Sequence, residues 1–473
     1  MRPEFAPHTF TWITGVEDTC VYPPTDFDMT PLDEYELTEH NANWRQDLRK
    51  ARDIGATAIR YGVNWPLVHT APGLFDWAIL DERFDFACRE LGLTVVADLV
   101  HYGTPTWLVA SFADPGYPAA VRDFAGAFAE RYRGLVDHIT PLNEPLTTAS
   151  FSGLRGVWPP ALTGWDGWTT VMLGIVAGMR ETIEAVRAAN PGAVVVHVEA
   201  ASLYQTSESE LETRATFLHA LGFLPTDLLL GRVDADHVMH DWLIEHGAGA
   251  DSLRRLTIDV PSIDFVGVNY YPDLSPRTLV DVDGTVAQVA TNRWHEGLTS
   301  SLRRFSNRYG LPILVTETSI EGGDELRTSW LAESAEAVRS LIRDEDLDIR
   351  GYTWWPLMDF VDWSYASGGR NVEEFVLSTA EMVSDPLAPA AASSEASADV
   401  PRPSKADFLR RMGLVRLSER PDGTLERIPT EAAERFRLLS GAAAATVDSA
   451  PDARDVAADE AVDGAPDLAV DEC

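Results

Sequence analysis

Short apolar runs alternate with longer amphipathic stretches along most of this chain. The runs are rich in β-branched and aromatic residues and barely alternate with polar ones, which is typical of strands buried on both faces. Eight such runs are predicted as strands: Phe10–Thr14, Ala58–Tyr61, Thr94–Val100, Val136–Leu142, Val194–Val198, Ile263–Val268, Ile313–Thr316 and Tyr352–Trp355.

The segments between these runs have the period of amphipathic helices. In the stretch Asn43–Ile54, for example, Trp44, Leu48 and Ala51 fall on one helical face. Asn190-Pro191-Gly192 predicts a helix end just before the next strand. Eight strand–helix units in a row predict an α/β fold of the (β/α)8 TIM-barrel type. The rival is an open doubly wound sheet, but no Gly-rich phosphate loop follows the first strand.

Two segments fall outside this pattern. Residues 386–404 are rich in Ala, Ser and Pro, and residues 441–473 are rich in Ala and Asp. Neither has a hydrophobic period, so we expect a disordered insertion after the eighth strand and an acidic disordered tail. The barrel domain is therefore expected to span residues 1–440.

The large negative net charge of the chain argues against two classes of binding partner. The formal net charge is −36, of which the tail carries −8, so −28 remains in the rest of the chain. Nucleic acids and anionic membrane surfaces are polyanions, so neither is expected as a partner. No stretch approaches the roughly 18 uninterrupted apolar residues that a membrane span requires.

Cysteine usage and the first residues indicate a cytoplasmic location. Cys20, Cys88 and Cys473 are scattered and odd in number, which favours neither a disulfide framework nor a zinc site. The segment Met1–Trp12 lacks the pattern of a secretory signal. The histidines show no metal-ligand spacing such as HExxH, so neither a metal nor another cofactor is expected.

Two of the predicted strands are followed by, or end in, a glutamate. Glu144 lies in Leu142-Asn143-Glu144-Pro145, and Glu317, which is 173 residues further on, lies in Leu314–Thr318. In a barrel the carboxyl ends of all strands meet at one rim. Two carboxylates facing one cleft are the minimal machinery for cleaving a glycosidic bond.

Motifs at this rim resemble those of glycoside hydrolase family 1, the β-glucosidase-like retaining enzymes. One such motif means little, but eight in order are specific. The matching segments are Ile59–Trp65, His101–Pro105, Asn143–Pro145, Asn269–Tyr271, Val315–Glu317, Trp355–Trp363, Arg411–Leu414 and Arg427–Pro429. They are similar to the family's RFSISW, HWDLP, NEP, NYY, I/V-T-E-N-G, WSLLDNFEW, RFGL and R-x-P segments.

The resemblance implies a role for each residue of the catalytic pair. Glu317 would be the nucleophile, and Glu144 would be the general acid and then the general base. The negative charge of Glu317 would help Glu144 to hold its proton for the first step. Arg60 and Tyr271, with Asn269 as a further supporting residue, would keep Glu317 ionised and oriented.

The same resemblance implies the sugar contacts. Asn143 would bind the 2-hydroxyl, a contact that strengthens in the transition state. His101 and Trp363 would bind other hydroxyls, while Trp355 offers a flat apolar face to the sugar ring. Asp362 stands where the family has a sugar-binding Glu and is one methylene shorter.

Departures from the family pattern fall in the sugar pocket. Gly15 stands where the family has a hydroxyl-binding Gln in its first strand, and Thr318-Ser319 replaces the Asn-Gly pair after the nucleophile. The predicted activity is therefore that of a retaining β-glycosidase acting on small β-glycosides or oligosaccharides, without assuming glucose. The alternatives are a transglycosylase that uses a sugar or lipid hydroxyl as acceptor, and a non-catalytic sugar-binding barrel.

The first prediction concerns salt. A charge of −36 repels itself, and added salt screens that repulsion. If the chain is adapted to a salt-rich cytoplasm, its melting temperature should rise by several degrees between low and molar KCl. NaCl at equal ionic strength should act alike. A melting temperature that does not change with salt would instead indicate that the acidic composition reflects a GC-rich genome, which favours Ala, Arg and Asp.

Overall fold

Eight parallel strands form the centre of the molecule in a computed structural model, which describes residues 3–25, 27, 29–367, 376–378 and 404–442. The strands are Thr11–Gly15 (β1), Ala58–Gly62 (β2), Thr94–Asp98 (β3), His138–Thr140 (β4), Val194–Ala200 (β5), Phe265–Asn269 (β6), Ile313–Thr318 (β7) and Ile349–Trp354 (β8). They close into a barrel in the order β1-β8-β7-β6-β5-β4-β3-β2. The register that closes it pairs Trp12 of β1 with Tyr352 of β8. All eight predicted strands are confirmed, with ends that differ by a few residues.

One main helix follows each strand, which confirms the predicted (β/α)8 fold. These helices are His40–Asp53 (α1), Ala78–Asp85 (α2), Tyr117–Arg131 (α3), Gly164–Ala189 (α4), Glu212–Leu229 (α5), Trp294–Tyr309 (α6), Asp324–Glu345 (α7) and Glu431–Ser440 (α8). Helix α4 ends directly before Asn190, as predicted. Helix α1 begins at His40 rather than Asn43, because the buried His40 ring bonds to Asp47 and Tyr61 and so joins the inner face of the helix.

Short helical segments and short strands lie outside the eight main strand–helix units. The short helical segments are Pro3–Phe5, Glu34–Leu37, Trp65–Val68, Phe86–Glu90, Ser111–Ala113, Pro145–Ala149, Ser150–Leu154, Ser209–Leu211, His240–Glu245, Ala250–Leu256, Trp363–Tyr365 and Lys405–Phe408. The short strands are Cys20–Val21, Leu32–Asp33, His69–Ala71, Leu74–Phe75, Leu203–Gln205, Pro276–Val282, Thr285–Ala290, Phe360–Val361, Val376–Ser378, Leu409–Arg410, Val415–Glu419 and Leu425–Pro429. Within the described residues, no helix is both long and apolar enough to cross a membrane.

The barrel interior is packed near the amino ends of its strands. Phe5 joins a buried apolar cluster with Ile13, Val96, Val196 and Phe265, which lie on four different strands. Arg350, the second residue of β8, donates a hydrogen bond to the carbonyl oxygen of Phe5. Because this end is filled with side chains, the space for a ligand lies at the opposite rim, where the strands end.

Residues 404–442 pack back onto the barrel. The strands Val415–Glu419 and Leu425–Pro429 form a hairpin that contains Arg427. Arg427 donates a hydrogen bond of 2.7 Å to the buried carboxylate of Asp47 in α1. Phe436 of α8 meets the ring of Trp12 at 5.1 Å in an edge-to-face contact. The predicted insertion, residues 386–404, and the predicted tail, residues 441–473, lie outside the described residues except for positions 404, 441 and 442.

Candidate active site

A cavity opens at the carboxyl ends of the strands and is lined by both glutamates of the predicted pair. Glu317 belongs to β7 and Glu144 follows β4; they are only 4% and 8% exposed. Seven of the ten predicted site residues line this cavity: His101, Glu144, Asn269, Tyr271, Glu317, Trp355 and Trp363. The other three are Arg60 and Asn143, which are buried, and Asp362.

Local structure turns Glu144 out of its strand. Asn143 still pairs with Val198 of β5 as a continuation of the sheet. Glu144 itself has a positive φ of 45°, and Pro145 starts a short helix with its fixed φ. The chain therefore changes direction at Glu144, which releases the carboxylate from the sheet into the cavity.

Glu317 receives the two hydrogen bonds that the family resemblance implied. Nη1 of Arg60 donates to Oε1 of Glu317 over 2.7 Å, and the Tyr271 hydroxyl donates to Oε2 over 2.7 Å. One donor is charged and both are held by the barrel, so the carboxylate is fixed in orientation.

Glu144 has a different pair of donors. Nδ2 of Asn269 lies 2.7 Å from Oε1, and the hydroxyl of Tyr102 lies 3.0 Å from Oε2. Neither donor carries a charge. The two carboxylates of the cavity therefore sit in unequal surroundings, which is how two like groups take different roles in one reaction.

Arg60 connects several of these groups beneath the cavity floor. Besides Glu317, its guanidinium donates to the buried carboxylate of Asp98 and, over 3.1 Å, to Oδ1 of Asn143. Burial alone would lower the pKa of Arg60, but Asp98 and Glu317 raise it overall. Arg60 therefore stays a cation at any working pH. It orients Asp98 at the end of β3 and Glu317 near the end of β7.

Glu317 is the carboxyl of this pair whose pKa is shifted. Burial raises the pKa of Glu317 to about 8; the charge of Glu144 adds to this effect and Arg60 opposes it. The proton was expected on Glu144, whereas the raised pKa is that of Glu317. One proton for two neighbouring carboxylates is what an acid and a nucleophile together require.

His101 is a buried cation in an ion pair. Its Nδ1 lies 2.7 Å from Asp18 and 3.4 Å from Asp98. Burial would lower the pKa of His101, but these two carboxylates raise it well above the ordinary value. Glu17, Asp18 and His101 have ligand-type atoms within 4.8 Å of one another, yet the imidazolium itself fills the role of the cation there.

Trp355 takes the space that the missing first-strand side chain leaves. A Cβ on Gly15 would lie 2.2 Å from the Trp355 ring, so only glycine allows this position. The ring lies parallel to His101, with 6.0 Å between centroids and a 6° interplanar angle. Its indole N–H donates to Oε2 of Glu17 over 2.9 Å. Glu17 also lines the cavity, so a carboxylate stands close to where the family places its Gln.

Asp362 has other partners. Its carboxylate accepts from the main chain of Ser364 over 2.9 Å and from Arg410 over 3.2 Å. Arg410 lines the cavity and Asp362 does not. Trp363, next to it, packs edge-on against Tyr102, and no hydrogen-bond partner of its indole N–H lies among the described residues. Asp362 as a sugar ligand stays a prediction, and Glu17 competes for that role.

Sequence reasoning missed three functional-looking residues: Glu17, Asp98 and Tyr102. Asp98 carried a readable signal, since it is a charged residue at the end of an otherwise apolar strand and a buried charge needs a partner. Glu17 and Tyr102 carried none by themselves. Their importance depends on which residues the barrel brings next to them.

A barrel with two buried carboxylates in one rim cavity is the arrangement of a glycoside hydrolase. Comparison with known proteins specifies the class. The model of glycosyl hydrolase family 1 matches residues 33–372. The chain therefore belongs to glycosyl hydrolase family 1. The match begins after β1, the strand in which this chain departs from the family pattern.

Individual relatives agree with this membership. A β-glucosidase from Agrobacterium sp. is 25% identical over 69% of this chain and 77% of its own length. A bifunctional β-D-glucosidase/β-D-fucosidase from Bifidobacterium breve is also 25% identical, over 69% and 80% of the two chains. The fold of a family 1 β-glucosidase from Thermotoga maritima superposes with a TM-score of 0.73 at 17% identity, over 92% of this chain and 98% of that one.

The second prediction compares the two candidate glycone carboxylates. Glu17→Gln should lower kcat/KM on a nitrophenyl β-glycoside by about 10- to 100-fold, because a hydrogen bond to a charged group is lost while the bond from Trp355 is kept. Asp362→Asn should cost clearly less, since that carboxylate contacts Ser364 and Arg410 instead of the cavity.

Thermal melts of both variants control for folding. If Asp362→Asn lost as much activity as Glu17→Gln, or more, at equal stability, the glycone carboxylate would be Asp362 as the family resemblance implied.

Proposed function

We propose that the protein is a retaining β-glycosidase that hydrolyses small β-glycosides with Glu317 as nucleophile and Glu144 as acid and base. The observation that carries this proposal is that the two carboxylates line one cavity at the barrel rim with unequal donors. The activities of the relatives, β-glucosidase and β-D-fucosidase, support hydrolysis of a β-linked sugar.

In the first step an oxygen of Glu317 attacks the anomeric carbon and the glycosidic bond breaks. Glu144 gives the pair's proton to the departing oxygen, so the leaving group departs as a neutral alcohol. Arg60 and Tyr271 orient the attacking carboxylate in this step. The product is a glycosyl ester of Glu317, in which the charge of that side chain is gone.

In the second step water replaces the alcohol. Glu144, now a carboxylate, takes a proton from water as the water oxygen attacks the anomeric carbon, and Glu317 leaves as a carboxylate. Two inversions give net retention at that carbon. The donors of Asn269 and Tyr102 suit this second role, because both stabilise the charged form of Glu144.

The leaving-group side of the cavity is apolar. Beyond Glu144 the cavity continues between the start of α4 and the middle of α5. Six apolar side chains line this arm: Leu146, Leu154, Trp165, Trp168, Leu218 and Leu221. Tyr204, Arg277 and Gln288 also line the cavity. We therefore propose that aryl and alkyl leaving groups are accepted better than further sugar units, since each buried apolar group contributes favourably.

The third prediction tests the catalytic pair. Glu317→Gln should abolish turnover, because an amide cannot form the glycosyl ester. Glu144→Ala should keep kcat/KM on dinitrophenyl glycosides, whose first step needs no acid, while kcat falls because the base of the second step is lost. On poor leaving groups kcat/KM should fall about 10²- to 10⁴-fold. Azide should restore the second step for this variant and yield a β-glycosyl azide, which NMR identifies.

Intact-mass spectrometry with 2-deoxy-2-fluoro β-glycosides provides the matched control. The wild-type chain should gain one sugar on Glu317 and the Glu317→Gln variant none, and the sugar that labels fastest names the glycone. A lack of azide rescue in Glu144→Ala would mean that the acid and base is another residue.

The fourth prediction tests the apolar arm. In a series of n-alkyl β-glycosides, kcat/KM should rise about fourfold per added methylene until the arm is filled. Leu221→Gln should flatten this series without changing the methyl glycoside. Leu326→Gln is the control variant, because Leu326 is 39% exposed and lies on α7. A flat series in the wild-type chain would contradict the proposed arm.

A further inference from the structure

The hydroxyl of Tyr102 lies between Asn143 and Glu144, which follow β4. It is 3.0 Å from Oε2 of Glu144 and 2.9 Å from Nδ2 of Asn143. Tyr102 is only 3% exposed. The family resemblance placed an aromatic residue here without a hydroxyl, so this contact is a feature of the present chain.

The direction of these hydrogen bonds follows from Asn143. Its Oδ1 accepts from Arg60 and from Asn269, which are both N–H donors there. The opposite end of the amide must therefore be Nδ2, which donates to the Tyr102 oxygen. The phenol proton of Tyr102 is then left to be donated to Glu144.

The fold holds the Tyr102 ring in place at some cost. Tyr102 has a φ of 74°, a backbone conformation that bulky residues rarely adopt. Its ring packs against His101, Trp158 and Trp363, with centroids 4.5, 5.1 and 5.3 Å away. A Cβ on Gly103 would lie 1.7 Å from the carbonyl oxygen of Cys20, so this turn is tightly packed.

We propose that Tyr102 is a positioning residue whose hydroxyl holds Glu144 as an oriented carboxylate for the second, water-activating step. This inference rests on the proposed role of Glu144. A donor to a carboxylate stabilises its charged form, and it does so most in a buried site. Glu144 then has a donor on each oxygen when Glu317 is esterified.

Other groups also face Glu144. Its neighbours with charge or a titrating proton are Glu317 on β7, Tyr271 after β6 and Glu199 on β5. The ester removes the charge of Glu317 in the second step. Burial raises the pKa of Tyr271 and the pKa of Glu199, which favours the neutral form of both side chains. Removing the Tyr102 hydroxyl therefore takes one donor from Glu144 without removing a charged group.

The fifth prediction is the pH dependence of Tyr102→Phe. With a dinitrophenyl glycoside the second step limits kcat, and the acid limb of its pH profile reports ionisation of the base. Loss of the hydroxyl disfavours the carboxylate, so this limb should move to higher pH by about one unit. Tyr270→Phe is the control, because that buried hydroxyl donates to the carbonyl of Trp294, and it should leave the limb unmoved.

The outcomes separate the two proposals. An unmoved limb in a folded Tyr102→Phe variant overturns the role of Tyr102, while azide rescue of Glu144→Ala still supports the acid and base. An equal shift in Tyr270→Phe overturns it as well, since the effect would then be general to buried tyrosines. Failure of azide rescue overturns the proposed function itself.

Discussion

The buried guanidinium of Arg60 is the interaction on which the whole rim depends. It joins the ends of β2, β3 and β7 by donating to Asp98 and Glu317, and it also reaches Asn143 after β4. Carboxylates taken out of water are costly unless they are paired and hydrogen-bonded. A permanent cation in the middle therefore allows several acidic groups to gather in one cavity. Arginine suits this position because its planar fork serves several acceptors at once.

The sugar side of the cavity is rebuilt around a missing side chain. Because Gly15 has no Cβ, the Trp355 ring can lie against β1. There it stacks beside His101 and donates a hydrogen bond to Glu17. The His101 cation is balanced by Asp18 at 2.7 Å. These features depend on one another, because the Trp355 ring occupies the space that a side chain at position 15 would need. The chain thus combines the family fold with its own packing around Gly15.

The two sides of the cavity differ in chemistry. Around Glu17 and Glu317 the lining is polar and acidic, while beyond Glu144 leucine and tryptophan side chains of α4 and α5 contribute to it. Such a division fits a substrate with a polar ring and an apolar leaving group. Glu144 stands at the boundary, which is where a proton donor to the connecting oxygen belongs. Tyr102 and Asn269 approach it there with neutral donors.

Sequence alone determined the fold class, the eight strands and the two glutamates, because these depend on local pattern and motif. A strand buried on both faces is readable from its own residues, as in Val194–Val198, and so is a charge that ends one. Only the tertiary structure decided that Glu17 lines the cavity, that Asp362 is held by Arg410 and that Tyr102 reaches Glu144. These contacts join residues from different strands. Their geometry depends on side-chain packing across the barrel, which no local pattern encodes.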